Sequence, residues 1–200
     1  MVHGAIPLIL ASTSRYRREL LTRLGVPFAV ESPHVDEMPR PAEGAADLAT
    51  RLAEAKARAV ARAHPHALVL GSDQVAECGG LIFGKPGNFE RACSQLDAAS
   101  GAEVIFHTAV SLVGEDRAIS LSHRDVTRVR FRPLDRTEIE EYVRRDQPYD
   151  CAGSFRSEGL GVTLFDAMET QDPTALVGLP LIWVTKALRL AGLNVLTKRT

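Results

Sequence analysis

The sequence predicts an α/β protein, and three stretches carry that prediction. Leu68-Val69-Leu70 runs into Gly71-Ser72-Asp73-Gln74-Val75. This reads as a buried strand whose carboxyl end is polar, where open α/β sheets place their sites. Residues 6–11 form a second apolar run, followed at once by Ser12-Thr13-Ser14 and a helical pattern. Residues 47–63 are an alanine-rich stretch with helical spacing of Leu48, Leu52, Ala55 and Ala59.

Taken in order, the first strand covers residues 6–11 and the first helix residues 15–24. Ser14 is its N-cap candidate and Gly25 its stop. The hydroxyls of Ser12 and Ser14 thus stand beside free N–H groups at a strand-to-helix turn, a ready anion site. Arg15, Arg17 and Arg18 crowd the same turn against the helix dipole. An anionic ligand would offset that cost, and plain solvation would also accommodate it. Residues 28–30 read as a second strand. Residues 32–44 hold Pro33, Pro39 and Pro41 and read as a loop carrying Asp36-Glu37. Asp47 is the expected cap of the long helix, and Lys56 falls on its apolar stripe. His64-Pro65-His66 has no further ligand at metal spacing and reads as a surface turn.

Gly71 lacks a Cβ, so a ligand or a second backbone can approach it closely. By itself, Asp73 reads as a turn cap as readily as a site residue. Residues 75–78 and 81–83 flank Gly79-Gly80 and predict a hairpin. Gly79 and Gly84-Lys85 stand at P-loop spacing, but Pro86 replaces the required hydroxyl residue, so the P-loop is rejected. Lys85 remains a candidate phosphate contact. Asn88 opens a helix that ends at Ala99. Two long strands follow, residues 104–113 and 119–131, with a bulge expected at residues 125–129. Asp135 and Glu138 form a capping-box pattern for a helix to Arg145. Residues 152–161 are a glycine-punctuated loop, residues 162–165 a strand, and Gly178-Leu179-Pro180 opens the last helix. With no long linker and no internal repeat, residues 1–200 are expected to form a single domain.

The chain has 200 residues, 45% of them hydrophobic and 24% charged, with a net charge of −1. That balance gives no global attraction to nucleic acid or to an anionic membrane. No apolar run reaches membrane-span length, and residues 1–10 are too short and too lightly charged for a signal peptide. Cys78, Cys93 and Cys151 are odd in number and far apart, as expected of small buried hydrophobes in a reducing cytoplasm.

Several polar stretches occur in a telling order: Ala11-Ser12-Thr13-Ser14 with Arg17-Arg18, Val35-Asp36-Glu37, Lys56, Gly71-Ser72-Asp73-Gln74-Val75, Gly84-Lys85-Pro86, Cys151-Ala152-Gly153-Ser154-Phe155 with Ser157-Glu158-Gly159, and Val177-Gly178-Leu179-Pro180-Leu181. This set closely resembles the Maf family of nucleoside triphosphate pyrophosphatases, over nearly the whole chain. Gln74 and Ser157-Glu158-Gly159 resemble the branch that hydrolyses 7-methyl-GTP. Tyr16 stands where that branch often has Trp.

The resemblance implies an α/β fold like that of the inosine triphosphatases. Its sheet is elongated, twisted and mixed, flanked by helices, with two lobes around a deep cleft. It implies cleavage of the α–β phosphoanhydride with a divalent metal cation, Mg2+ or Mn2+. On that reading Asp73 is the proton acceptor, and Glu37 and Asp73 hold the metal. Ser12, Arg17, Lys56 and Lys85 bind phosphate, and Tyr16, Gln74 and Glu158 face the base. Because a carboxylate is a weak base at neutral pH, metal binding and orientation of water are equally natural roles for Asp73. The expected partner is a small nucleoside triphosphate, not nucleic acid or membrane, and the chain leaves room for a homodimer. The rival from another class is a nucleotide-binding regulator of cell division that does not turn its ligand over.

Overall fold

The computed structural model describes residues 6–197, so residues 1–5 of the stretch assessed as a signal peptide lie outside the described residues. Its strands are β1 (Leu8–Ala11), β2 (Ala29–Glu31), β3 (Leu68–Cys78), β4 (Leu81–Phe83), β5 (Glu103–Gly114), β6 (Ile119–Phe131) and β7 (Phe165–Glu169). The helices are α1 (Arg15–Thr22), α2 (Ala45–Ala61), α3 (Phe89–Ala99), α4 (Arg136–Asp146) and α5 (Leu181–Leu190). All seven strands join one mixed sheet in the order β2-β1-β3-β5-β6-β7, with β4 paired to β3. β1 runs parallel to β2 and β3, and every other pairing is antiparallel.

β3 shows how its sequence makes the site. Side chains alternate between the two faces of a strand. On one face Leu68 and Leu70 pack with Leu20 and Leu21 of α1 and Leu188 of α5. Further along the same face, Ala76 and Cys78 pack with Cys93 and Leu96 of α3 and with Ile139 and Val143 of α4. Ser72 and Gln74 fall between the two cores, where neither apolar cluster needs them.

On the opposite face Val69 packs with Ala57, Val60 and Ala61 of α2, and Val75 with Leu48, Leu52 and Ala53. Gly71 lies between them, directly under the helix. A Cβ there would stand 2.4 Å from both Ala53 O and Ala57 N. The close approach that Gly71 permits is therefore that of a second backbone, not of a ligand.

The register opens the sheet at this point. β1 pairs with β3 only as far as Ala11 opposite Gly71, and β4 pairs only from Phe83 opposite Ala76. Residues 72–75 have β5 along one edge and no strand along the other. That gap is the floor of the cleft.

Local signals mostly match. Ser14 caps α1, Asn88 caps α3, and Asp135 with Glu138 makes both halves of a capping box on α4. Some expectations do not hold. α2 begins at Ala45 after Gly44, and Asp47 lies in its first turn, where its charge suits the dipole without capping. Residues 160–164 form a 3-10 turn rather than a strand, because Gly161 folds back onto Arg156, where a Cβ would stand 2.3 Å from the Arg156 carbonyl oxygen. β6 has no bulge against β5, and its irregularity lies at Arg130/Phe131, facing β7. The alternation looked broken because Asp125 and Thr127 are buried polar residues on the inner face, where Thr127 reaches Thr170 at 3.0 Å. Cys78 and Cys93 are buried as expected, whereas Cys151 is half-buried on the cleft wall. Among the described residues no helix is long and apolar enough to cross a membrane.

Candidate active site

The gap beside β3 opens into a cleft of about 760 Å³, lined by every residue singled out from the sequence: Ser12, Tyr16, Arg17, Glu37, Lys56, Asp73, Gln74, Lys85 and Glu158. They arrive from separate elements and do different things there.

Asp73 is nearly buried on the α2 side of β3. Because Gly71 lets α2 lie flat on the strand, Lys56 of α2 reaches it, with Nζ 2.6 Å from Asp73 Oδ1. The same ammonium lies 2.7 Å from Glu37 Oε1, on the proline-rich loop. Lys56 therefore bridges the two carboxylates instead of standing open to phosphate, and one of its three N–H donors is left over. Desolvation raises the Glu37 pKa, but Lys56, Lys85 and Arg17 together outweigh it, and the carboxyl is held below its ordinary value. Asp73 Oδ2 and Glu37 Oε2 have no hydrogen-bond partner among the described residues. Two convergent carboxylates with free oxygens are a donor set that Mg2+ accepts when substrate phosphates complete it. Among the described residues no three His, Cys, Asp or Glu side chains are grouped for a metal.

At the start of α1, Ser12 Oγ accepts from Ser14 N at 3.1 Å, and Ser14 Oγ accepts from Arg17 N at 3.4 Å. The N–H groups of Arg15 and Tyr16 have no acceptor among the described residues and remain for an anion. The three arginines separate. Arg18 is exposed. Arg15 turns to Tyr16. Arg17 is half-buried and donates to Gly178 O at 3.0 Å and to Ser72 O at 2.6 Å. It thereby satisfies a carbonyl on the open edge of β3, and desolvation lowers its pKa against the pull of Asp73 and Glu37.

The far wall is a strap, residues 172–180, held through its carbonyls. Gln74 Nε2 lies 3.0 Å from Ala175 O and 2.9 Å from both Leu176 O and Thr108 Oγ1. The Ser72 hydroxyl lies 2.8 Å from Ala109 O and 2.9 Å from Gly178 O. Asp172 fixes the strap's entry, accepting from Thr174 N and Ile182 N. The Gln74 amide nitrogen is thus committed to the scaffold, and Oε1, with no partner among the described residues, is left for a ligand. By contrast, Glu158 is exposed and, among the described residues, is bonded only to the neighbouring Ser157 hydroxyl, at 3.1 Å. Lys85 is exposed and has no hydrogen bond or ion pair among the described residues.

Sequence reasoning did not single out Arg156 or Asp150. Arg156 lines the cleft and is clamped by Asp146 at 2.5 Å, with Tyr142 donating to the same carboxylate at 2.9 Å. Asp150 meets Tyr16 and Arg15 at the cleft wall. The one local hint was an acid directly before the Cys151-Ala152-Gly153 stretch.

These partners separate two substitutions that look alike in sequence. Lys85→Ala is expected to lower kcat/KM by about tenfold or more, the worth of one charged hydrogen bond, with the melting temperature unchanged. Arg17→Ala is expected to lower both, because it strips Ser72 O and Gly178 O of their donor. Paired thermal melts and kinetics check this, and an unchanged kcat/KM in Lys85→Ala returns that lysine to the solvated surface.

The chain is 55% identical over 193 residues to the 7-methyl-GTP pyrophosphatase of Polaromonas sp., covering 96% of this chain and 88% of that protein. It is 56% identical over 195 residues to the protein of that name from Burkholderia pseudomallei, with 95% and 91% coverage. The Thiobacillus denitrificans protein of the same name is 52% identical over 198 residues, with 98% of both chains covered. Among solved structures, the Staphylococcus aureus Ham1 protein gives a TM-score of 0.49 at 14% identity, over 93% of this chain and 98% of that one. The profile of the Maf-like proteins matches residues 7–191, nearly the whole length over which the cleft is assembled, and the chain belongs to the Maf family.

Proposed function

We propose that the protein hydrolyses 7-methyl-GTP at the α–β phosphoanhydride, giving 7-methyl-GMP and pyrophosphate. The observation that carries this reading is the cleft itself. Among the described residues, it combines an acid pair bridged by Lys56, unpartnered donors at the start of α1, the unpaired cation Lys85, and an unneutralised carboxylate, Glu158. Relatives more than half identical bear the name 7-methyl-GTP pyrophosphatase.

The chemistry follows from the charge problem. A triphosphate is a dense anion, and most of the catalysis of its cleavage is positioning and electrostatic stabilisation. The Arg15 and Tyr16 N–H groups, with Ser12 beside them, bind phosphate oxygens, and Lys85 meets charge developing on the departing pyrophosphate. Lys56 aims Asp73 through Oδ1, leaving Oδ2 to orient water and accept its proton. Glu37 and Asp73 would hold Mg2+ or Mn2+, which when bound neutralises phosphate charge. The ligand is a small nucleotide rather than nucleic acid, in keeping with the net charge of −1. A reducing cytoplasm suits the three free cysteines.

Methylation at N7 makes the guanine ring a cation, so its selection calls for an aromatic face and an anion. Tyr16 offers the first. Glu158 offers the second and accepts from the N1 and N2 edge. The test is kcat/KM for 7-methyl-GTP over GTP, with products resolved as monophosphate plus pyrophosphate. Wild type is expected to favour 7-methyl-GTP, and Glu158→Gln to reduce the ratio by roughly tenfold, as for loss of one charge-assisted bond. Diphosphate and phosphate as products, or an unchanged ratio in Glu158→Gln, would refute the assignment.

A further inference from the structure

Tyr16 already has a planar cation on its ring. The Arg15 guanidinium carbon lies 4.7 Å from the ring centroid, and its Nη2 lies 2.6 Å from the Tyr16 hydroxyl. The same Nη2 is 3.6 Å from Asp150 Oδ2, and the Tyr16 hydroxyl donates to Asp150 Oδ1 at 3.2 Å. Arg15 is the first residue of α1, where a cation opposes the helix dipole and no acid stands in the first turn to offset it. What holds it there is a π face on one side and a carboxylate at its edge, 134 positions away along the chain from Tyr16.

Those are the features that a methylated guanine would seek. A guanidinium and a 7-methylguanine ring are both flat, delocalised cations, and both present adjacent N–H donors to a carboxylate. We infer that Asp150 is a specificity residue of the base site, and that Arg15 is a resident cation which the methylated base displaces from Tyr16 and Asp150. This rests on the 7-methyl-GTP reading and extends it. Every base must move Arg15, so that cost is common to all. A neutral guanine can stack and donate through the same edge, but only a cationic base also regains the charge attraction to the ring and the carboxylate, so the cost is returned more fully to 7-methyl-GTP than to GTP. Half-exposed contacts of this kind are weak enough to exchange: the side chains of Arg15 and Asp150 are 55% and 51% exposed.

The prediction separates the two residues. Arg15→Gln is expected to lower KM for 7-methyl-GTP and for GTP by the same factor, about three- to tenfold, leaving their ratio of kcat/KM unchanged. Asp150→Asn is expected to lower that ratio by a similar factor. The inhibition constant of 7-methylguanosine, a cation without phosphates, isolates the base site and is expected to fall by the same factor in Arg15→Gln. A rise in KM for both triphosphates with an unchanged 7-methylguanosine constant would make Arg15 a phosphate ligand and overturn the inference. Unchanged KM and inhibition constants would make it a surface residue, with the same result. A wild type with no preference for 7-methyl-GTP removes the substrate reading and this inference with it. A wild type that prefers it, with an unchanged ratio in Asp150→Asn, removes the inference alone.

Discussion

Asp73→Asn is expected to lower kcat by at least ~10²-fold, the lower end of a general-base contribution, while the protein still folds cooperatively. The substitution keeps the shape of the side chain and its place in β3. It removes the charge that meets Lys56 at 2.6 Å and the free oxygen that faces water. Lys56 is not left stranded, because Glu37 lies 2.7 Å from the same ammonium and is exposed enough to keep it solvated. The remaining ion pair therefore limits the loss of stability that usually follows when one partner of a buried pair is deleted. Pyrophosphate release in single-turnover and steady-state assays, beside a thermal melt, reads both effects. If Asp73→Asn turns over like wild type, Asp73 serves only to hold α2 through Lys56, and the catalytic assignment falls.

The reach of the sequence stops where contacts become nonlocal. Capping at Ser14, Asn88 and Asp135 was legible because each cap and the N–H that donates to it lie three residues apart. The β3 run was legible because an apolar stretch that turns polar has a local pattern. The identity of the cleft residues came from the order of motifs, and the structure brings those residues together. The division of labour among them was not legible. Lys56 and Arg17 both looked like free cations, yet one bridges two acids and the other serves two carbonyls. Gln74 looked like a reader of the base, yet its amide nitrogen faces the carbonyls of Ala175 and Leu176, about half the chain away. Nothing within a few residues of Gln74 encodes that partner. The bulge expected in β6 failed for a related reason. Asp125 and Thr127 break the hydrophobic pattern without breaking the strand, since Thr127 is satisfied by Thr170, just after β7, and Asp125 faces the same residue. Burial and the nearby Asp172 push the Asp125 carboxyl above its ordinary value, an environment that no local spacing reveals.

Gly71→Ala should be the most damaging of the small substitutions on β3, because its new methyl group points into backbone. The added Cβ would stand 2.4 Å from Ala53 O and Ala57 N, and neither atom can rotate away as a side-chain tip can. α2 has to lift or slide, and it carries Leu48, Leu52, Ala57 and Val60 against the sheet. Overpacking of this kind costs roughly 1–3 kcal/mol and occasionally more. For a chain of this size each kcal/mol lowers the melting temperature by about 2–4 °C. The functional loss should exceed the thermal one. Lys56 rides on α2, so any lift of the helix lengthens the 2.6 Å contact that aims Asp73. Misplacing a catalytic group by about 1 Å can cost ~10²-fold in rate. Gly84→Ala provides the comparison, since a Cβ there meets nothing within 4 Å, and its melt should match wild type. Differential scanning calorimetry of both variants, with kcat measured well below the lower melting temperature, separates misaligned from unfolded enzyme. A Gly71→Ala protein with wild-type melting and turnover would mean that α2 does not lie on β3 at this contact, and that the placement of Lys56 over Asp73 has another cause.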